Sequence, residues 1–368
     1  MPLFSQKNNI VFDFGTGIMK AVVFAPYQKP EILKFAKSHI GFETLFKSNH
    51  FQNDVLADSM RNILKDLQIR NLSDFKKSYF LLSPEYIKEK VLSVKIIRDN
   101  PSIKINSQEE EKINKQINQE AQKQVFSKKG MDDAQFLKIR ILEMRIDGYT
   151  VDCLKGFNGK EVEVSFVYIF SINDYFKKAK SFIESQCAPN PKILFLSDFI
   201  LDFIKDNGKE SSIVIDSGDK ITRIYQGVAG KLLKISDLSL GGNKITKDLA
   251  MHLNIKEEEA RTIKEKFFET GLSENLSGEI KNVLKNAGKI FEIEVKDKIA
   301  IDWQKISKVF ILGGNNHFIK DFFAPEEIND KICKIDFNNG IEAQKEILLE
   351  NLYYNILLIC NYAKKENI

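Results

Sequence analysis

Cysteine and histidine are scarce, with 4 of each in 368 residues. Cys153, Cys187, Cys333 and Cys360 show no C-x-x-C spacing. That argues against a disulfide framework or a zinc ribbon and fits a reducing compartment. His39, His50, His252 and His317 are equally isolated, so no histidine-based metal centre is expected. No run of 18 apolar residues occurs, and the opening "MPLFSQKNN" lacks the apolar stretch of a signal peptide. A cytoplasmic protein is the expectation. Neither sign of charge predominates: 55 basic residues face 51 acidic ones, a net charge of +4 spread along the chain. Nucleic acid is therefore not an expected partner. What remains, 43% hydrophobic and 29% charged, is an ordinary soluble composition, long enough for two or three domains.

The informative text begins almost at once. "NNIVFDFGTGIMKAVVF" (8–24) places Asp13, Gly15, Thr16, Gly17 and Lys20 between two short apolar runs. Glycines between β-rich runs predict a hairpin. "IVIDSGDKITRIYQ" (213–226) repeats the device with Asp216 and Gly218, so the chain holds two copies of one theme. A third apolar strand, "KVFIL", runs into Gly313 and Gly314.

Between the copies the texture changes. After a helix over 55–67 and a buried strand "SYFLLS", the stretch 83–191 reads as a small α+β module. It comprises a strand "VLSVKII", a polar helix over 106–125 with Ser107 and Glu110 as a capping box, three strands and a closing helix. The three strands are "FLKIRILEMRI", "YTVDCLK" and "EVEVSFVYIF", separated by the turn dipeptides Asp147-Gly148 and Asn158-Gly159. "KILFL" and "SDFILDFIKDNG" return to strand and helix, helical text fills 243–298, and a terminal helix is expected over 342–363.

Two Asp-x-Gly hairpins facing each other could hold a polyphosphate. Glycine lets backbone N–H groups approach phosphate without a Cβ in the way, and successive amides in a tight turn form an anion-binding nest. The aspartates cannot touch phosphate, but each can hold a hydrated Mg²⁺, which keeps waters and takes one or two carboxylates. Lys20 adds a positive charge. Two ordinary hairpins are the alternative reading of either motif alone.

The order of the motifs resembles the actin and sugar-kinase ATPase superfamily. There the first two grip the β- and γ-phosphates and the third lets adenosine lie on bare backbone. "LSLGGNKITKDLAMHLNIKEEEARTIKEKF" is similar to the stretch after the second phosphate motif in the FtsA/PilM branch, matching at Gly241, Gly242, Ile245, Thr246, Leu249, Ala250, Ala260, Ile263 and Lys264. "ILEMRIDGYTVDCLKGFNGKEVEVSFVYI" resembles the inserted 1C (SHS2-containing) subdomain of FtsA. The resemblance implies an α/β fold of two actin-like, ribonuclease-H-like lobes around a nucleotide cleft. Lobe 1 would be 1–82 plus 192–209, the 1C-like insertion 83–191, and lobe 2 would be 210–368 with a reduced, mainly helical 2B at about 255–305. It further implies ATP and Mg²⁺ as cofactors, with Asp13 and Asp216 holding the metal through water. Gly15, Thr16, Gly17, Lys20, Gly218, Thr222, Gly241, Gly242, Lys264, Gly313, Gly314 and Asn315 would line the nucleotide.

Several departures from the pattern bear on function. Asp219 puts a negative charge in the second loop, and Ile221 replaces a hydroxyl while Thr222 keeps the other. Asn315, Asn316 and His317 stand where small residues are usual, on the adenine side. The stretch between Lys266 and Lys308 is too short for a full 2B, and no amphipathic anchor is expected after the last helix, so membrane contact would come only through a partner. Asp198 and Asp202, four apart on one helix face, are the nearest candidates for a hydrolytic carboxylate, and solvated acids near a helix N-terminus are the plainer reading. Slow ATP turnover or binding alone is expected. The leading expectation is a nucleotide-dependent scaffold of the cell-division type that binds protein partners, or copies of itself, through the insertion. A PilM-like pilus scaffold, a degenerate platform with little nucleotide binding, and a small-molecule kinase are the alternatives.

Overall fold

The computed structural model describes residues 8–40, 52–127, 134–172, 174–186, 191–207, 210–269, 271–323, 330–335, 337, 341 and 353–362. Cys187, His50 and the first part of the expected terminal helix lie outside the described residues. The first hairpin is β1 (Asn9–Phe14) and β2 (Ile18–Ala25), with β3 (Glu31–His39) antiparallel to β2. After α1 (Asn53–Asp66), β4 (Lys77–Leu82) lies parallel to β1, and β9 (Lys192–Leu194) parallel to β4. The sheet order is β3-β2-β1-β4-β9. Every residue of β1 is buried, as a central strand covered on both faces demands.

The second half repeats this plan. Strands β10 (Ser211–Ser217), β11 (Thr222–Val228) and β12 (Lys231–Leu238) form the antiparallel part, and β13 (Lys308–Leu312) and β14 (Ile332–Cys333) the parallel part, in the order β12-β11-β10-β13-β14. The repetition reaches the residue level. Asp13 lies opposite Lys20, and Asp216 lies opposite Arg223. Both second hairpins also carry a register shift at the same place, between Val23 and Phe24 and between Gln226 and Gly227. The two-copy pattern read from the sequence is a duplicated sheet. This is a two-lobed α/β chain with its aspartates at equivalent strand ends.

A helical layer lies between the sheets. Helix α4 (Leu196–Asn207) buries Phe199, Ile200, Phe203 and Ile204, and Phe203 meets Phe310 of β13 edge-on at 4.8 Å. Helix α8 (Tyr354–Tyr362) buries Ile356 to Cys360 in the same core, which also takes Phe12, Phe14 and Phe80 from the first sheet. The far face of the second sheet is covered by α5 (Gly242–Leu253), α6 (Glu257–Glu269) and α7 (Glu274–Lys298), which close a second core around Ile213, Ile215 and Ile224. No strand occurs among the described residues between α5 and β13.

The insertion carries its own four-stranded sheet, β5 (Lys88–Ile97), β6 (Gln135–Ile146), β7 (Tyr149–Val151) and β8 (Glu161–Ser171), in the order β5-β8-β6-β7. Helix α2 (Ser107–Phe126) covers one face through Ile113, Ile117, Ala121 and Val125. Its cap differs from the expected box: Asn106 Oδ1 accepts from the Glu109 amide at 2.9 Å, so the N-cap lies one residue before the expected Ser107, which is instead the first helical residue. The strand expected over "YTVDCLK" keeps only its first three residues. The closing helix, α3 (Tyr175–Gln186), puts Ala179, Phe182 and Ile183 into the first lobe's core, which Val167 and Ile169 of β8 also join.

Candidate functional site

The ends of β1 and β10 face one cavity of about 500 Å³. Asp13, Gly15, Thr16, Gly17, Lys20, Asp216, Gly218, Gly242, Lys264, Gly313, Gly314 and Asn315 all line it. Residues separated by 300 positions in sequence are thus brought to one place by the duplicated sheets. Gly313 adopts a left-handed φ of +84°, and a Cβ there would meet the Ser217 carbonyl at 2.3 Å. Only glycine brings β13 so close to the end of β10.

Thr222 and Gly241 do not line the cavity. Thr222 is fully buried, donates to the Leu240 carbonyl at 2.7 Å and lies 3.1 Å from the Ser217 hydroxyl, so it clips the second hairpin together. Gly241 precedes α5, where a Cβ would meet the Asp219 carbonyl at 2.5 Å. Asn315, expected to crowd the adenine side, instead clamps the second loop: its Nδ2 donates to the Gly218 carbonyl at 2.6 Å. Asp198 and Asp202 also stand outside the lining, and Asp198 is ion-paired to Lys138 at 2.8 Å and Arg140 at 3.5 Å on the insertion. Asp198 joins α4 to the insertion.

The charges are arranged in pairs. Lys20 Nζ is 2.6 Å from Asp13 Oδ2 across the β1–β2 ladder, and both are buried. Asp216 accepts from Asn355 Nδ2 of α8 at 3.1 Å. Burial pushes the Asp216 carboxyl up to about 6, the Asn355 hydrogen bond opposing and the charge of Asp13 adding to the rise. Asp13 and Asp216 face the cavity from the ends of β1 and β10, two carboxylates being the number that a hydrated Mg²⁺ takes. The donor set fits.

Three groups in the wall had no motif to reveal them. Glu85 follows β4 and accepts from the Thr16 hydroxyl at 3.0 Å, and burial holds its carboxyl above the usual range. Arg223 lines the floor, where it leaves its ladder partner Asp216 for a buried network. It donates to Glu89 of β5 at 2.8 Å and to Asp237 of β12 at 2.6 Å. Ser197 of α4 donates to the same Glu89 at 2.6 Å. The insertion, the helical layer and the second sheet therefore meet beneath the cavity. At the other end, Phe268 stacks on His317 with ring centroids 6.0 Å apart. Lys264 donates to the Gly242 carbonyl at 2.9 Å and to Thr246 Oγ1 at 2.8 Å, and burial pulls its ammonium down to about 8.

No protein-family model matches the sequence, and no curated protein is similar to it at a significant level. Solved structures are similar. PilM in the PilM–PilN type IV pilus biogenesis complex superposes with a TM-score of 0.69 at 12% identity, over 97% of this chain and 98% of that one. The ethanolamine utilization protein EutJ from Carboxydothermus hydrogenoformans gives 0.51 at 13% identity, over 98% and 92%. The chain has the two-lobed actin-like ATPase fold.

Proposed function

We propose that this chain is a nucleotide-binding actin-like scaffold. ATP and Mg²⁺ would bind in the cleft, and the insertion, read as a 1C-like module, would contact a protein partner or another copy of the chain. The observation that carries the reading is the pair of glycine turns, with Asp13 and Asp216 at matching register, opening on one cavity. The backbone of the Gly15–Gly17 and Gly218 turns would cradle phosphates. Asp13 and Asp216 would hold Mg²⁺ through water, and the ion would supply charge neutralisation to the phosphate chain. Gly313 and Gly314 would offer bare backbone to the nucleoside, with Lys264 beside them.

Turnover, where it occurs, should be slow. Glu85 is the carboxyl nearest the first turn's hydroxyl, and its oxygen already accepts from Thr16. The PilM structure is that of a complex with a second protein, which supports partner binding by a chain of this fold. Whether the assembly served is a division or a pilus machine is decided by the partner and not by the fold. For a scaffold, the nucleotide must be felt in the insertion, and the Arg223–Glu89 contact is the route. Hydrogen exchange with and without Mg²⁺–nucleotide should alter protection in β5 and β8. Changes confined to the cavity loops would contradict the scaffold reading.

A further inference from the structure

Asp219, the residue that breaks the phosphate-loop pattern, makes the contact between the two loops. A Cβ on Gly17 would lie 2.4 Å from Asp219 Cγ and 2.8 Å from Oδ1, so the carboxylate of the second lobe rests on the bare backbone of the first turn. The loop is fixed in that position. The Asp219 carbonyl accepts from the Asn243 amide at 2.7 Å, the Gly218 carbonyl accepts from the Gly242 amide at 3.0 Å, and Asn315 clamps the same carbonyl. Oδ2 is fully buried and has no hydrogen-bond partner among the described residues. Burial pushes this carboxyl above its usual range, while the positive charges of Arg261, Lys264 and Lys247 oppose the shift. Arg261, Lys264 and His39 line the cavity as well.

The Asp219 carboxylate thus lies in the space between the two glycine turns, against Gly17 and within the influence of the Arg261 and Lys264 charges. We propose that Asp219 is a specificity-determining residue, a tethered carboxylate standing where the end of a triphosphate chain would lie, so that the cleft favours nucleoside diphosphates over triphosphates. The proposal rests on the nucleotide reading above and refines it. A diphosphate ends before it meets the carboxylate. A third phosphate brings like charges together in a desolvated space and must push the Asp219 side chain off Gly17. Like charges brought face to face in a binding site cost enough to change affinity by about tenfold or more.

Titration calorimetry of the full chain with Mg²⁺–ADP and Mg²⁺–ATP tests this. Wild type should bind ADP about tenfold tighter than ATP. Asp219→Asn, which keeps the shape, and Asp219→Ser, which also opens space, should each raise ATP affinity by about tenfold and change ADP affinity far less. Equal affinities in wild type, or an ATP-to-ADP ratio that neither variant moves, would overturn the proposal and leave the nucleotide reading intact. Weaker ATP binding in both variants would make Asp219 a ligand-holding group and overturn it too. If wild type and both variants bind neither nucleotide, the nucleotide reading fails, and the proposal with it.

Discussion

Replacing Asp13 with asparagine is expected to weaken nucleotide binding in Mg²⁺ by roughly 10–100-fold, the usual cost of removing a group that orients a metal's shell. The loss should vanish in EDTA, where wild type and variant bind alike. Asparagine is the right substitution because Lys20 lies 2.6 Å away and buried. Alanine would remove that buried ion pair altogether and mix a folding defect into the measurement. Asparagine keeps an oxygen for Lys20 to donate to and removes only the charge. Unchanged affinity and an unchanged Mg²⁺ effect would remove Asp13 from the metal site.

Arg223→Met should cost about 3–5 kcal/mol of stability, the range for breaking a buried ion pair from one side. The Arg223 and Glu89 side chains are only 2% and 0% exposed, so the variant strands a carboxylate in the interior. Asp237 retains Lys88 at 3.2 Å and is less affected. Adding Glu89→Leu to the same chain should recover much of the loss, because an apolar pair of similar size replaces a charged one. Denaturant midpoints of the single and double variants are the measurement. A loss below about 1 kcal/mol for Arg223→Met would place the pair among weak surface contacts. The network also joins β5 to the cavity floor, so a stable double variant should lose the exchange response of the insertion while its cavity loops still respond.

The sequence made the strand-end carboxylates and glycine turns that line the cavity legible and left their supports hidden. Asp13, Asp216 and the glycine turns could be found because their chemistry is local: a strand end, a carboxylate and a tight turn are neighbours in the chain. Strand β3 lacks that clarity, since "EILKFAKSH" alternates irregularly and its edge position leaves Lys37 and Ser38 exposed or half-buried. Asn355 and Glu85 could not be found at all. Asn355 reaches Asp216 from a helix 139 residues away, and only the folded helical layer brings them together. Thr222 misled for a related reason. A hydroxyl after a phosphate turn reads as a ligand, yet its strand register turns it toward the Leu240 carbonyl. Alternation gives the face of a side chain only when the strand's first residue is known.

The most direct measurement is calorimetric titration of the wild-type chain with ADP and ATP, each in Mg²⁺ and in EDTA. One saturable site is predicted for each nucleotide in Mg²⁺, with affinity falling about tenfold or more when the metal is chelated. No saturable binding of either nucleotide, at millimolar concentration and with Mg²⁺ present, would contradict the account.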